Sequence, residues 1–157
     1  MNTLLICIQN ESYAMAALIE VLKLEQAALT QAPSLELMEE INALTQKKNQ
    51  QIATITQLGK LRKNEIARLG FPVTDNPAPQ WLQDQVQKDC WDQLVGHTRK
   101  ANELNRVNGL LISKHLLRNQ TTLQVLYRNH QGSSMPSLYG ANGQSDSRRS
   151  VMRGFVA

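Results

Sequence analysis

Three histidines, two cysteines and a scatter of carboxylates are all that this 157-residue chain offers for building a catalytic or metal site. His97, His115 and His130 stand singly, with no HExxH pattern to set two imidazoles on one helix face. Cys7 and Cys90 lie far apart and outside any CxxC or Cys/His spacing, so neither a disulfide framework nor a zinc site is implied, and both read as buried thiols. Glu39 and Glu40, and the group Asp84, Asp89 and Asp92, fall beside Lys and Gln in helical sequence. There a solvated charged face explains them without acid or base chemistry. The chain has no GxSxG and no Gly-rich loop ending in Lys-Ser/Thr, so a nucleophile elbow and a phosphate cradle are both missing. No enzyme and no cofactor is implied.

The candidates that remain are side chains suited to holding another protein. Tyr139 sits in SLYGANGQS, where an aromatic among Ser, Gly and Asn has no core to enter. Leu138 precedes it and Gly140 and Gly143 let the backbone bend around it, so it reads as a docking side chain. Val151, Met152, Phe155 and Val156 form a small apolar cluster at the end, with Arg148, Arg149 and Arg153 around it.

The elements that must carry these residues are helical. Aromatics are only 4% of the chain, a composition better suited to helices packed side by side than to a sandwich or barrel. From about 3 to 31 there is no proline or glycine, and Ile8, Met15, Leu22 and Leu29 recur every seven residues with Leu4, Leu5, Leu18 and Ile19 beside them. That is one apolar helical seam. Ala32-Pro33-Ser34 breaks it, and Ser34 is placed to cap a second helix over about 35–69. The second stripe runs through Leu37, Ile41, Leu44, Ile52, Ile55, Leu58, Ile66 and Leu69, and Gly70 then stops the helix. FPVTDNPAPQ, with its three prolines, is a loop.

A third and longest helix is predicted over about 80–130, entered at Gln80 or Trp81. Trp81 and Trp91 would anchor its start, and Asn105 and Asn108 would fix register at or near its seam. At about 1.5 Å per residue such a helix spans roughly 70 Å. It cannot bury its whole stripe in a compact body, and the uncovered part is a binding surface. The fold class is therefore all-α: an antiparallel bundle of three long helices with coiled-coil-like packing, over residues 1–130. The Gly-, Ser- and Asn-rich segment 131–157 is expected to be a flexible tail.

Charge and hydropathy narrow the function classes. Residues 1–130 carry 14 Lys+Arg against 12 Asp+Glu, and 131–157 carry 3 against 1. The signs are interspersed, unlike the one-sided basic face that phosphate neutralisation demands, so nucleic acid is not an expected partner. No stretch reads as a membrane span, because Gln9, Asn10 and Glu11 break the first apolar run and no basic segment precedes it. A cytoplasmic protein is expected. The heptad row of the first helix leaves a structural coiled-coil homo-oligomer as the alternative to a partner-holding protein.

The run NELNRVNGLLI, the Leu-rich helix after it and SLYGANGQS together resemble the C-terminal half of the FlgN family of flagellar type III export chaperones, LYGANGQ being the most specific part. The Lys-rich second helix (Lys47, Lys48, Lys60, Lys63), the proline loop and a Trp entering the third helix are consistent with that likeness over residues 4–145. The resemblance implies a helical chaperone that binds the C-terminal helices of the hook-filament junction proteins, the first and third hook-associated proteins, and keeps them unassembled until export. By the same likeness, cargo falls to the amphipathic part of the third helix around Leu110, Leu111, Leu117, Leu123 and Leu126. Docking at the cytoplasmic domain of the export gate falls to Leu138, Tyr139, Gly140, Asn142, Gly143 and Gln144. The membrane is then met only through the gate, and the chaperone is a monomer or weak homodimer.

Overall fold

The computed structural model of the chain describes residues 2–74 and 80–134, with side chains over 3–74 and 80–129. Three helices follow in order, α1 (Asn2–Leu29), α2 (Leu35–Arg68) and α3 (Gln85–Ser134), and no strand occurs among the described residues. The all-α class is the one the sequence implies. The chain divides into two units, Met1–Ile112 and Ser113–Ala157.

In the first unit each helix end has an identifiable cause. Ser34 Oγ accepts the Leu37 N–H at 3.0 Å and opens α2. At the other end Gly70 takes φ 83°, which a side chain would resist, and the Gly70 and Phe71 amides bond back to Ala67 O at 3.0 Å and Ile66 O at 3.2 Å. That is a Schellman ending, and it turns Phe71 onto the core. α3 starts at Gln85 rather than at Gln80 or Trp81. Asp84 Oδ1 accepts the Gln87 N–H at 2.7 Å while Gln87 Oε1 accepts the Gln83 N–H at 3.0 Å, a reciprocal cap that fixes the start four residues later.

Cross-helix pairs set the directions. Glu11 meets Arg62 and Glu25 meets Lys48, so α1 and α2 are antiparallel. Ser12 meets His97 and Leu22 meets Asn108, so α1 and α3 run parallel. The arrangement is up-down-up, and α2 and α3 also meet directly, Arg62 over Trp91 and Ile66 beside Leu94. One core cluster joins Leu4 and Ile8 to Ile66, Trp81 and Leu94, and a second joins Met15, Leu18, Ile19 and Leu22 to Ala101. Fully buried side chains such as Leu4, Ile8 and Leu22 each contribute about 1.5–3 kcal/mol.

Two expectations change. Trp81 lies before α3 rather than on it. The two rings meet edge to face with centroids 5.0 Å apart. Secondly, by length and composition α1 is able to span a membrane, since Thr3–Leu29 reaches a mean hydropathy of 1.3 despite Gln9, Asn10 and Glu11. The dense Leu, Ile and Ala around those polar residues outweigh them. In the fold 44% of that window is buried, against α2 and α3.

Candidate functional site

Most of the polar residues inside the first unit hold it together. Glu11, Leu18, Glu25 and Leu4 share one heptad row of α1, so two carboxylates occupy seam positions. Glu11 takes Arg62 Nε at 2.6 Å, and the Arg62 guanidinium lies over the Trp91 ring, 5.1 Å from its centroid. One arginine of α2 thereby ties α1 to α3. Glu25, fully buried, accepts Lys48 Nζ at 2.7 Å and Asn108 Nδ2 at 2.8 Å, and Asn108 Nδ2 also reaches Leu22 O at 2.9 Å. Glu11 and Glu25 were missed as core residues in the sequence, although their seven-residue spacing from Leu4 and Leu18 was a usable signal. Asn108 is a seam residue, whereas Asn105 is exposed.

The residues with chemical potential are dispersed. His97 shares a 3.1 Å hydrogen bond with Ser12, His115 is half-buried in the second unit, and the His130 side chain lies outside the described residues. Asp84 caps α3, Asp89 accepts Gln85 Nε2 at 2.7 Å, and Asp92, Glu39 and Glu40 are exposed. Cys7 and Cys90 are half-buried free thiols. Burial, with the Glu65 and Glu11 carboxylates adding to it, pushes the Cys7 thiol above its usual value, against a smaller opposite pull from Arg62. That is the reverse of an activated nucleophile. Among the described residues no group of three or more His, Cys, Asp or Glu is placed to hold a metal ion.

A cleft of about 230 Å³ opens between the three helices of the first unit, lined by Met15, Leu18 and Leu22, by Ile52, Ile55 and Thr56, and by Ala101, Asn102 and Asn105. Its polar lining is one hydroxyl and two amides, with no acid, base or nucleophile. It can accept an apolar side chain and cannot perform a reaction on one.

The second unit offers a different surface. From Ser113 to Asn129 every described side chain is exposed except the half-buried His115. Leu116, Leu123 and Tyr127 are 58%, 65% and 72% exposed. At about 100° per residue they fall within an arc of about 40°, and Leu126 lies about 60° outside it. Leu117, also exposed, points about 100° away from Leu116. Of the cargo residues named from the sequence, Leu123 therefore lies on the stripe, and Leu126 and Leu117 lie on either side of it. Leu116 and Tyr127, which the sequence reading did not name, complete it. Leu110 is exposed and Leu111 half-buried in the first unit. Leu138, Tyr139, Gly140, Asn142, Gly143 and Gln144 lie outside the described residues.

Comparison with known proteins gives a consistent likeness. The family model described as FlgN protein matches residues 1–147. A flagella synthesis protein FlgN of Proteus mirabilis is 32% identical over 134 residues, 85% of this chain and 82% of that protein. The protein of the same name from Escherichia coli K12 is 33% identical over 65% of this chain and 62% of its own length. That of Salmonella typhimurium is 29% identical over 68% and 65%. No solved structure matches.

Proposed function

This chain belongs to the FlgN family, and from that premise we propose that it is a cytoplasmic export chaperone for flagellar hook-filament junction proteins. Its place is in flagellum assembly. Its cargo is the C-terminal helices of the first and third hook-associated proteins, which it keeps from assembling early and delivers to the type III export gate. The observation that carries this reading is the exposed stripe of Leu116, Leu123 and Tyr127 on α3, with exposed Leu126 beside it. Capture of an amphipathic helix needs apolar anchors at such spacing, and water-facing leucines in a line are otherwise a liability. Leu110, Leu111 and Leu117 are further cargo contacts, and the segment Leu138–Gln144 with Tyr139 at its centre docks at the gate.

The rival reading, a self-assembling coiled coil, rested on the row Ile8, Met15, Leu22 and Leu29. Those four side chains are buried in the chain's own first unit and are not available to another chain. The dispersed histidines and carboxylates support binding over catalysis.

Calorimetric titration of the full chain with a peptide from the C-terminal helix of a hook-filament junction protein tests the proposal. One-to-one binding with a negative heat-capacity change is expected, the mark of apolar burial. Leu123→Asp should weaken it by about tenfold or more, which corresponds to about 1.4 kcal/mol. Tyr139→Ala should leave peptide affinity and helicity intact while lowering export in cells. No binding at high micromolar peptide would sink the chaperone reading.

A further inference from the structure

The cleft of the first unit has polar side chains at its mouth that the bundle itself does not use. Its floor is apolar, with Met15, Leu18 and Leu22 of α1 beneath Ile55 and Ala101, and it holds about 230 Å³. Asn102 and Asn105 line it from α3, three residues apart and so neighbours on one helix face. Both are exposed, and neither side-chain amide bonds to another described residue. Asn108, one turn further on, is by contrast taken up in the buried layer with Glu25.

A carboxamide carries both a donor and an acceptor, the complement of a peptide N–H and C=O. The interior of a partner helix has no such groups to give, because its backbone is bonded internally, whereas an extended segment presents them at every residue. Charge narrows the occupant further. α2 and α3 run antiparallel, so Lys60, four residues after the lining Thr56, and Arg99, three residues before Asn102, stand at the same end of the cleft. Both are exposed and have no carboxylate partner among the described residues. Of the carboxylates nearest on α3, Glu103 takes Arg106 at 2.7 Å and Asp92 lies two turns beyond Arg99, so this end of the cleft is positive. At 1.5 Å per residue the two cations stand about 4.5–6 Å along the axis from the lining residues. An extended chain advances about 6.6 Å in two residues, and residues i and i+2 face the same way. A side chain that enters the cleft therefore places the side chain two residues away beside Lys60 and Arg99.

We propose that this cleft is a docking site for an extended acidic peptide segment, which inserts a bulky apolar side chain and carries Asp or Glu two residues from it. Asn102 and Asn105 hold the backbone of the segment, and Lys60 and Arg99 hold its carboxylate. The site shares no residue with the α3 stripe to which cargo helices are assigned, so the proposal stands or falls independently of the chaperone reading. One apolar anchor with a solvent-screened charge pair sets the dissociation constant on the order of 1 mM.

Methyl NMR of the full chain tests it, with the peptide Ac-Ser-Glu-Ser-Leu-Ser-Glu-Ser-NH2 added to about 5 mM, a few times that constant. Glu stands two residues from Leu on both sides, so either chain direction is served. Saturable shifts of the Met15, Ile52 and Ile55 methyl signals are expected, and replacing both Glu of the peptide by Lys should weaken binding by about tenfold or more. Lys60→Glu/Arg99→Glu should invert that preference while circular dichroism stays unchanged, because both side chains are exposed. Asn102→Ala/Asn105→Ala should weaken the Glu peptide by about threefold or more with helicity kept, Ala being the better helix former. No shift at these methyls overturns the proposal, as does equal binding of the Glu and Lys peptides, which would leave the cleft an unspecific apolar hollow. Unchanged affinity in the double Ala variant overturns it too. Displacement of the Glu peptide from these methyls by a junction-protein helix would make the cleft part of the cargo site and overturn it equally.

Discussion

Asn108 of α3 donates its Nδ2 to Glu25 of α1 at 2.8 Å, in a site where both side chains are fully buried. The same Nδ2 holds the Leu22 carbonyl oxygen, and Lys48 holds the other carboxylate oxygen. A buried carboxylate is tolerable only with such partners, and the partners exist only at one axial register of α1, α2 and α3. The layer therefore specifies alignment as well as adding stability. Asn108→Leu should cost about 1–3 kcal/mol, because Glu25 and Leu22 O each lose a donor without gaining water. Asn108→Asp should cost more, by setting a second carboxylate against Glu25. Urea denaturation of both variants decides it, and equal stability of the two would refute the donor role.

Glu11 and Arg62 form the second polar layer, and its worth is best read from a double-mutant cycle. Arg62→Met strands a buried carboxylate and lifts the cation from Trp91, for an expected loss of about 3–5 kcal/mol. Glu11→Leu combined with Arg62→Met removes the stranded charge and should recover most of that loss. A double variant no more stable than Arg62→Met alone would show that Arg62 acts through Trp91 and not through Glu11.

The two layers also show what the sequence made legible. Apolar rows, the Ser34 cap, the Gly70 stop and the proline loop fix three helices because each is a local signal. Glu11 and Glu25 were hidden because a glutamate at a seam position is read as solvated unless its cation is known, and Arg62 and Lys48 are distant in sequence. The start of α3 was misplaced for the opposite reason. Trp81 looks like the first residue of a helical stripe, and only the paired bonds of Asp84 and Gln87 show that the helix begins after it. The stripe Leu116, Leu123 and Tyr127 was partly visible, as leucine content in a helix too long to be covered. Which leucines share a face needed the helix to be fixed.

Acid should weaken the fold through three ion pairs, each within one helix. Hydrogen bonds from Lys23, Arg68 and Arg106 hold the Glu20, Glu65 and Glu103 carboxyls below their usual value of 4.5. A carboxyl lowered in the folded state contributes stability above the unfolded value, and that contribution is lost as pH falls through the lower, folded value. Thermal unfolding of the parent and of the Arg68→Gln/Arg106→Gln variant should therefore differ slightly at neutral pH. The difference should shrink progressively below about pH 4.5. The Glu103–Arg106 pair is exposed, and Glu65 is buried but its partner Arg68 lies largely in solvent, so the gap is small. A gap that persists unchanged at strongly acid pH would assign it to the lost arginine stems and not to the ion pairs.

Glycine positions test whether the Glu11 layer is rigid. Gly59, Gly96 and Gly109 all lie inside helices, where Ala is better by about 1 kcal/mol when nothing obstructs it. A Cβ built on Gly96 or Gly109 meets nothing within 4 Å, so Gly96→Ala and Gly109→Ala should each raise stability by about 0.5–1 kcal/mol. A Cβ on Gly59 lies 3.2 Å from Glu11 Oε1, an oxygen on the carboxylate clamped by Arg62. The methyl must push that carboxylate against its hydrogen bonds, so Gly59→Ala should gain nothing or lose stability. Repeating the substitution on Glu11→Leu/Arg62→Met, where no clamped oxygen remains, separates the two contributions. If Gly59→Ala stabilises the parent as much as Gly96→Ala does, the carboxylate yields freely and the Glu11 layer is not rigid.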